Sequence, residues 1–449
     1  MSFITDKQTL DDLNLLGKYK GNSIFNLFDH TTTRGGAQVL ETMFLQPLTD
    51  AEIINARSDI FRYFQPLQLT LPVTRENCEA VEQYLSMAGR NSFMGTASAL
   101  IRKKIMKLIA SNPEFDLIQS GVSAAIDLLK KAHEFFTGLD NAVKPSPYQS
   151  AIDEVLQHYR EESILKMLNR PSTSSLSLSV LIQYDHLLRN RFGRQLQRIM
   201  QVLYETDVFI SVSRIAAVKN FSYATALSFR EDKNKIEITG MVHPQLAGGV
   251  ANSLLLDHHL NLLFLTGANM AGKSTLMKSF GVAVYLAHMG FPVAAEKMVF
   301  SVQDGMYTSI NVSDNLDMGY SHFYAEVLRV KKVAEEVGRS GNLVIIFDEL
   351  FKGTNVKDAY DATVAVTEAF AANRNCSFIV STHIVEAAHT LQERNSNMQF
   401  VFFPTIMDGQ IPRYTYLLQK GISADRHGMM IIQNEGIVDL IRGRRPRIV

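Results

Sequence analysis

Gly267-Ala268-Asn269-Met270-Ala271-Gly272-Lys273-Ser274, entered from the near-continuous apolar run Asn261 to Thr266, is the stretch that decides the fold. It satisfies the P-loop pattern, and it sits between a strand-like run and the helix-like stretch Lys273 to Met289, where that pattern has physical meaning. The glycines let the backbone turn so that successive N–H groups and the positive helix end face phosphate oxygens. Lys273 supplies a point charge to the β and γ phosphates, and Ser274 is a ligand for Mg²⁺. A chance match in a glycine-rich turn is the bland alternative, and the flanking elements argue against it.

Downstream, Leu343 to Phe347 is a second apolar run, and it ends on two carboxylates, Asp348 and Glu349. That is a Walker-B arrangement, with Asp348 suited to hold hydrated Mg²⁺ and Glu349 to orient or deprotonate the attacking water. Ser377 to Ser381 is a third such run, followed by Thr382 and His383, a histidine placed to contact the γ-phosphate. Taken without the other motifs, a histidine there is more often an ordinary surface or core residue. Runs apolar on both faces suit parallel strands, and helix-like stretches at Lys273 to Met289, Ser321 to Val337 and Lys357 to Ala372 intervene. The three motifs then share the sheet edge where α/β proteins place ligands.

From about Gly36 to Ala217 the pattern is helical, and roughly seven helices are expected. Phe115, Ile118, Val122, Ile126, Leu129, Ala132 and Phe136 fall on one helical face, with Pro113 and Gly138 near the ends. Further breaks fall at Lys144-Pro145-Ser146-Pro147 and Arg170-Pro171-Ser172. The change of pattern near Phe229 divides the chain into an all-α domain over 1–229 and a P-loop ATPase domain over 230–449.

At 449 residues two or more domains are expected, and 46% hydrophobic against 20% charged residues excludes a disordered chain. Lys plus Arg equal Asp plus Glu at 45 each, so any nucleic-acid surface must be local. Candidates are Arg191, Arg194 and Arg198 on one helical face with Arg189 nearby, the cluster Arg102, Lys103, Lys104 and Lys107, and the tail Arg442 to Arg447. A solvated helix face is the commoner explanation of such clusters. Cys78 and Cys376, far from any metal-ligand spacing, read as inert core thiols in a reducing compartment. With no secretory start and no apolar stretch near ~20 residues, a cytoplasmic protein without a membrane span is expected.

These residues resemble the MutS family of DNA-repair ATPases. Thr266 to Thr275 is similar to that family's P-loop, with its Asn269-Met270 pair, although alanines stand for a proline and one glycine. Asp348-Glu349-Leu350-Phe351-Lys352-Gly353-Thr354 is similar to its Walker-B continuation, with Lys352 where arginine is common. Ser313 to Leu316 and Gly319 to Glu326 resemble the signature segment, which implies that Ser321, with Gly319 beside it, completes the partner subunit's site. On sequence alone that stretch is a capped helix start, Ser321 being an N-cap type of residue. Leu27 to Gly36, Pro47-Leu48, Arg57 and Asp59, Asp207 to Ala217 and Gly421 to Gly428 extend the likeness.

The resemblance implies an ABC-like ATPase fold preceded by a helical core with levers, ATP and Mg²⁺ as ligands, and a homodimer that couples hydrolysis to mismatched, damaged or branched double-stranded DNA in repair or recombination. It also implies that Asn269 lies near the γ-phosphate and that His383 senses it. The chain begins almost at the helical core, leaving no room for a mismatch-reading domain or connector. That favours the alternative of an ABC-like mechanical ATPase acting on a protein or ribonucleoprotein partner, a phosphotransferase being the third reading.

Overall fold

The computed structural model describes residues 2–17, 22–87, 92–110, 113–141, 146–169, 176–229, 233–268, 270–310, 322–339, 341–408, 411–423 and 437–442. They form two compact units, one of Met1–Leu27, Phe44–Ser58 and Val218–Val449, the other of Phe28–Met43 and Asp59–Ala217. A single cut near residue 229 therefore does not divide the chain as the units do. The reason is packing. Asp12 accepts hydrogen bonds from Thr308 Oγ1 and Ile310 N at 2.8 and 2.9 Å, Tyr285 donates to the Phe44 carbonyl, and Arg57 and Ser58 donate to the carbonyls of Met289 and Gly290. Periodicity shows which face of a helix is buried, and says nothing of what buries it.

The first unit is built on a six-stranded sheet of β1 (Leu262–Thr266), β2 (Gly305–Ser309), β3 (Leu343–Phe347), β4 (Ser377–Ser381), β5 (Met398–Phe402) and β6 (Gln419–Lys420). Their spatial order is β6-β5-β1-β4-β3-β2, and all pairs are parallel except β5 with β6. Every residue of β1, β2, β3 and β4 is buried, which is why the sequence runs apolar rather than alternating there. Helices α1 (Lys273–His288), α2 (His322–Gly338), α3 (Val356–Ala371) and α4 (Val385–Arg394) connect the strands. Phe370 of α3 stacks at about 5.5 Å on both Phe347 and Phe378, tying β3 to β4 through one side chain.

Beside this sheet lies a four-stranded one of Thr225–Leu227, Lys297–Ser301, Ile236–Met241 and Asn252–Leu256, largely antiparallel, which the sequence pattern does not announce. Its inner strand Ile236–Met241 alternates buried and half-buried residues only from Ile236 to Thr239, before a register shift ahead of Met241.

The second unit is helical throughout its described residues, with nine helices where about seven are expected from the Gly36 to Ala217 pattern. The excess comes from short pieces: Gln149–His158 and Glu162–Leu168 are separated by one turn at Tyr159 and Arg160, which periodicity alone merges. Glu114–Asp140 follows Pro113 and buries the predicted apolar stripe except for Ile126, which is half-buried, and it continues through Gly138 to Asp140. Cys78 and Cys376 are buried thiols, pushed up to about 12 and about 11 by desolvation, and are inert. No described helix is long and apolar enough to cross a membrane.

Candidate functional site

Strand register places the motifs side by side. Leu265 pairs with Ser381 and Phe347 with Val380, so β1, β4 and β3 end level and release Gly267, Thr382 and Asp348 at one edge. β4 lies between the other two, and Ser381 becomes the bridge. Its hydroxyl donates to Asp348 Oδ1 at 2.5 Å and accepts from the Glu349 N–H at 3.1 Å. From the other side Ser274 Oγ donates to Asp348 Oδ2 at 2.5 Å. The loop after β1, the end of β3 and the end of β4 are thus joined through one carboxylate.

The loop itself requires its glycines. Gly267 has φ +134° and Gly272 φ +107°, which side chains rarely adopt. Met270 takes φ +69° and points out, 80% exposed, while Ala271 is buried beneath it. Lys273 is the first residue of α1 and is 5% exposed. Its ammonium donates to the carbonyls of Gly267 and Ala268 at 2.9 and 3.1 Å, curling the loop around itself. Burial lowers its pKa, and the Asp348 and Glu349 carboxylates oppose that shift. Thr275 continues the helix, accepting at its carbonyl from Ser279 Oγ at 2.7 Å.

Glu349 and Phe351 both lie in the left-handed region, at φ +54° and +63°. Such strain in non-glycine residues persists only where surroundings enforce it. Here Leu350 N donates to the Ser381 carbonyl, and Phe351 N donates at 2.6 Å to Oε1 of Glu326, a glutamate 4% exposed on α2. The turn aims the Glu349 carboxylate at His383 Nε2, with Lys352 Nζ on its other oxygen at 3.2 Å. The His383 hydrogen bond, against the opposing pull of burial, holds Glu349 at about 2, so the carboxylate is ionised at any neutral pH.

A cavity of about 540 Å³ adjoins the loop, walled by His243, Leu246, Val250, Met270, Phe403 and Tyr416 and floored by Gly272, Lys273 and Ser274. The Tyr416 ring lies so close over Gly272 that a Cβ there would stand 3.2 Å from Cδ1. Asn252 fixes that tyrosine's backbone, donating to its carbonyl at 2.9 Å and accepting from Leu418 N at 2.7 Å. Apart from Met270, which lies in the loop motif itself, sequence reading misses these walls, and it gives Glu326 no role of its own. The missed walls carry no local motif, being apolar or singly polar residues outside the Gly267 to Thr275 stretch. The signal available was the family-like position of Glu326 in the signature stretch.

Asn269, Gly319 and Ser321 lie outside the described residues, as does the tail beyond Arg442. The arginines at 191, 194 and 198 do not share one helical face. Arg191 ends a π turn, Leu187–Arg191, and only Arg194 and Arg198 belong to the helix Gly193–Lys219 that follows. Arg198 is held by both oxygens of Glu154 at 2.8 to 3.1 Å. Lys103 and Lys107 pair with Glu114 and Asp116.

A family model of MutS domain III matches residues 8–213, and one of MutS domain V, that family's ATPase domain, matches residues 263–442. The DNA mismatch repair protein MutS of Petrotoga mobilis is 23% identical over 96% of this chain and 62% of its own length. That of Leuconostoc mesenteroides is 25% identical over 98% and 61%. The DNA mismatch repair protein MSH7 of Arabidopsis thaliana is 25% identical over 84% of this chain and 37% of its own length. The chain thus spans about three fifths of the length of the two bacterial relatives. With one family model on the helical region and another on the sheet that carries the phosphate loop, the chain belongs to the MutS family.

Proposed function

We propose that this protein hydrolyses ATP and, as a dimer, couples the binding and hydrolysis of ATP to the binding of DNA, mismatched, damaged or branched, in repair or recombination. The observation that carries the reading is the single carboxylate of Asp348 held between Ser274 of the loop and Ser381 of β4, with the ionised Glu349 next to it.

The cavity beside Tyr416 would take the base and the loop the phosphates, a reading supported by the positive charge that Lys273 and the start of α1 offer. The donor set fits Mg²⁺, since Ser274 Oγ and Asp348 Oδ2 are hard oxygens already within 2.5 Å of each other. Ser274 and Asp348 would hold the ion, which would neutralise charge on the phosphate oxygens. Glu349 would orient the attacking water or accept its proton, and the His383 hydrogen bond supports the first role by steadying that carboxylate. Asn269 is assigned to the γ-phosphate, and Ser321 with Gly319 to the partner's nucleotide, by likeness of sequence.

DNA as the partner is supported by the names of the relatives, each a DNA mismatch repair protein. A balanced net charge of +0 favours the second reading, an ATPase that moves a protein or ribonucleoprotein partner. The test is steady-state hydrolysis with duplex, mismatched and branched DNA, alongside Glu349→Gln. The variant is expected to bind ATP and lose turnover by about 100-fold or more. Unchanged turnover would remove Glu349 from the chemistry, and hydrolysis indifferent to every DNA form would move the partner assignment to protein.

A further inference from the structure

The helical unit holds a second polar cavity, which the ATP site does not use. Helix Leu178–His186 does not run directly into Gly193–Lys219, because Leu187–Arg191 forms a π turn, closed by Phe192 N donating to the Leu187 carbonyl at 2.8 Å. Single π turns between helices recur at functional sites. Here the wide turn and the first turn of the next helix bring Arg189, Asn190, Arg191, Arg194 and Gln197 to one cavity of about 490 Å³.

The charges in that cavity are not equivalent. Arg189 is committed to Asp185, which also accepts from the Tyr84 hydroxyl at 2.8 Å, and its guanidinium lies 5.2 Å from the Tyr84 ring centroid. That group is a fixed wall of the cavity. Arg191 and Arg194 are exposed, make no ion pair among the described residues, and meet no carboxylate among the residues lining the cavity. Arg198, one turn further along, is the contrast, because it is neutralised by Glu154. The cavity also contains Gly193, where the 27-residue helix begins, so the positive end of that helix adds to the two free guanidiniums.

We propose that this cavity binds a phosphate group, with Arg191 and Arg194 as its charged contacts and, as neutral ones, the amides of Gln197 and of Asn190, whose Nδ2 also meets His186 Nδ1 at 3.0 Å. Two guanidiniums able to donate in forks, with amide donors and no competing acid, match a tetrahedral oxyanion. The phosphate comes either from a nucleic-acid backbone or from a free phosphorylated molecule. The proposal is independent of the ATPase's partner.

The test uses the full chain in a Lys273→Ala background, which removes the charge of the other phosphate site. Inorganic phosphate and pyrophosphate are titrated calorimetrically, and a labelled DNA duplex is titrated by anisotropy between about 50 and about 200 mM salt. Arg191→Ala with Arg194→Ala is expected to weaken binding about tenfold or more. If a strand is the source, the logarithmic salt slope also falls by about two, one per lost phosphate contact. An effect on the free ions alone assigns the cavity to small phosphorylated ligands, and an effect on the duplex alone to a nucleic-acid backbone. Arg191→Lys with Arg194→Lys keeps both charges but loses the forked donors, and should bind more weakly than the unaltered cavity and at least as well as the alanine pair, whereas Arg198→Ala should change neither titration. The proposal is overturned if the alanine pair binds all three probes as the unaltered cavity does, or if none of the probes binds to either.

Discussion

Glu349 shows how one residue's backbone, hydrogen bonds and charge state are set together. Its left-handed φ turns the carboxylate away from β3, and the His383 hydrogen bond lowers its pKa from the ordinary 4.5 to about 2, with burial opposing. Because the folded value is depressed, the resulting stabilisation is complete above the ordinary carboxylate range and is lost only as pH falls from about 4.5 towards 2. Nothing at neutral pH depends on it, and that gives a prediction. In His383→Ala, Glu349 rises towards its ordinary value yet stays ionised, so the variant's own turnover, though lowered, should show no acidic limb from about pH 6 to about pH 8. An acidic limb in that range of the variant's own pH–rate profile would show that Glu349 had become protonated, contrary to this account. At this scale the sequence is readable where a short spacing reports a shared geometry. Lys273 and Ser274 follow a loop of fixed length, and Asp348 and Glu349 follow a buried strand. Tyr416 is not readable, because a lone tyrosine some 140 residues past the loop has no pattern until the fold brings it over Gly272.

Helix α2 connects more of the site than its length suggests. At one level Glu326 accepts the Phe351 N–H and so holds the strained turn that carries Glu349. One turn later Arg329 donates to the Thr308 carbonyl and pairs with Asp6, which Lys332 also contacts at 2.7 Å. Burial would raise the pKa of Asp6, but these two cations hold it well below the usual carboxylate range. The helix is thereby pinned to β2 and to the segment before helix Lys7–Asp12. Glu326→Ala should free the Phe351 N–H and let the turn relax, lowering kcat by about tenfold or more with little change in KM. Glu326→Gln keeps an acceptor oxygen and should recover most of the rate. Equal defects in both variants would show that charge, rather than the hydrogen bond, is what matters. Strands β1, β3 and β4 are legible as elements because being buried on both faces writes an unbroken apolar run. The four-stranded sheet is not, since its strands are short and the apolar-polar alternation of Ile236 to Thr239 spans only four residues. The partners of Glu326 and Arg329 are likewise invisible, lying 25 and 323 residues away.

On the scale of the whole molecule, pattern separates a helical region from an α/β region but misplaces the segments Met1–Leu27 and Phe44–Ser58, whose helical periodicity hides that they pack into the unit with the sheet. Composition is equally silent on assembly. If Ser321 completes the partner's site as the family likeness implies, activity belongs to the dimer and two different lesions can complement each other. A Ser321→Ala chain keeps its own Glu349 but offers a defective residue across the interface, while a Glu349→Gln chain has the reverse fault. Each homodimer is then inactive at both sites. In a mixed dimer, the site built from Glu349 of the first chain and Ser321 of the second is intact. Random exchange at equal concentrations makes about half of the dimers mixed, with one sound site in two, so hydrolysis should recover to about a quarter of the unaltered rate. Recovery should fall on dilution, as a dimer dissociates. Two inactive variants that stay inactive when mixed, under conditions where exchange is verified by labelled chains, would place Ser321 in the same subunit's site and leave hydrolysis to each chain alone.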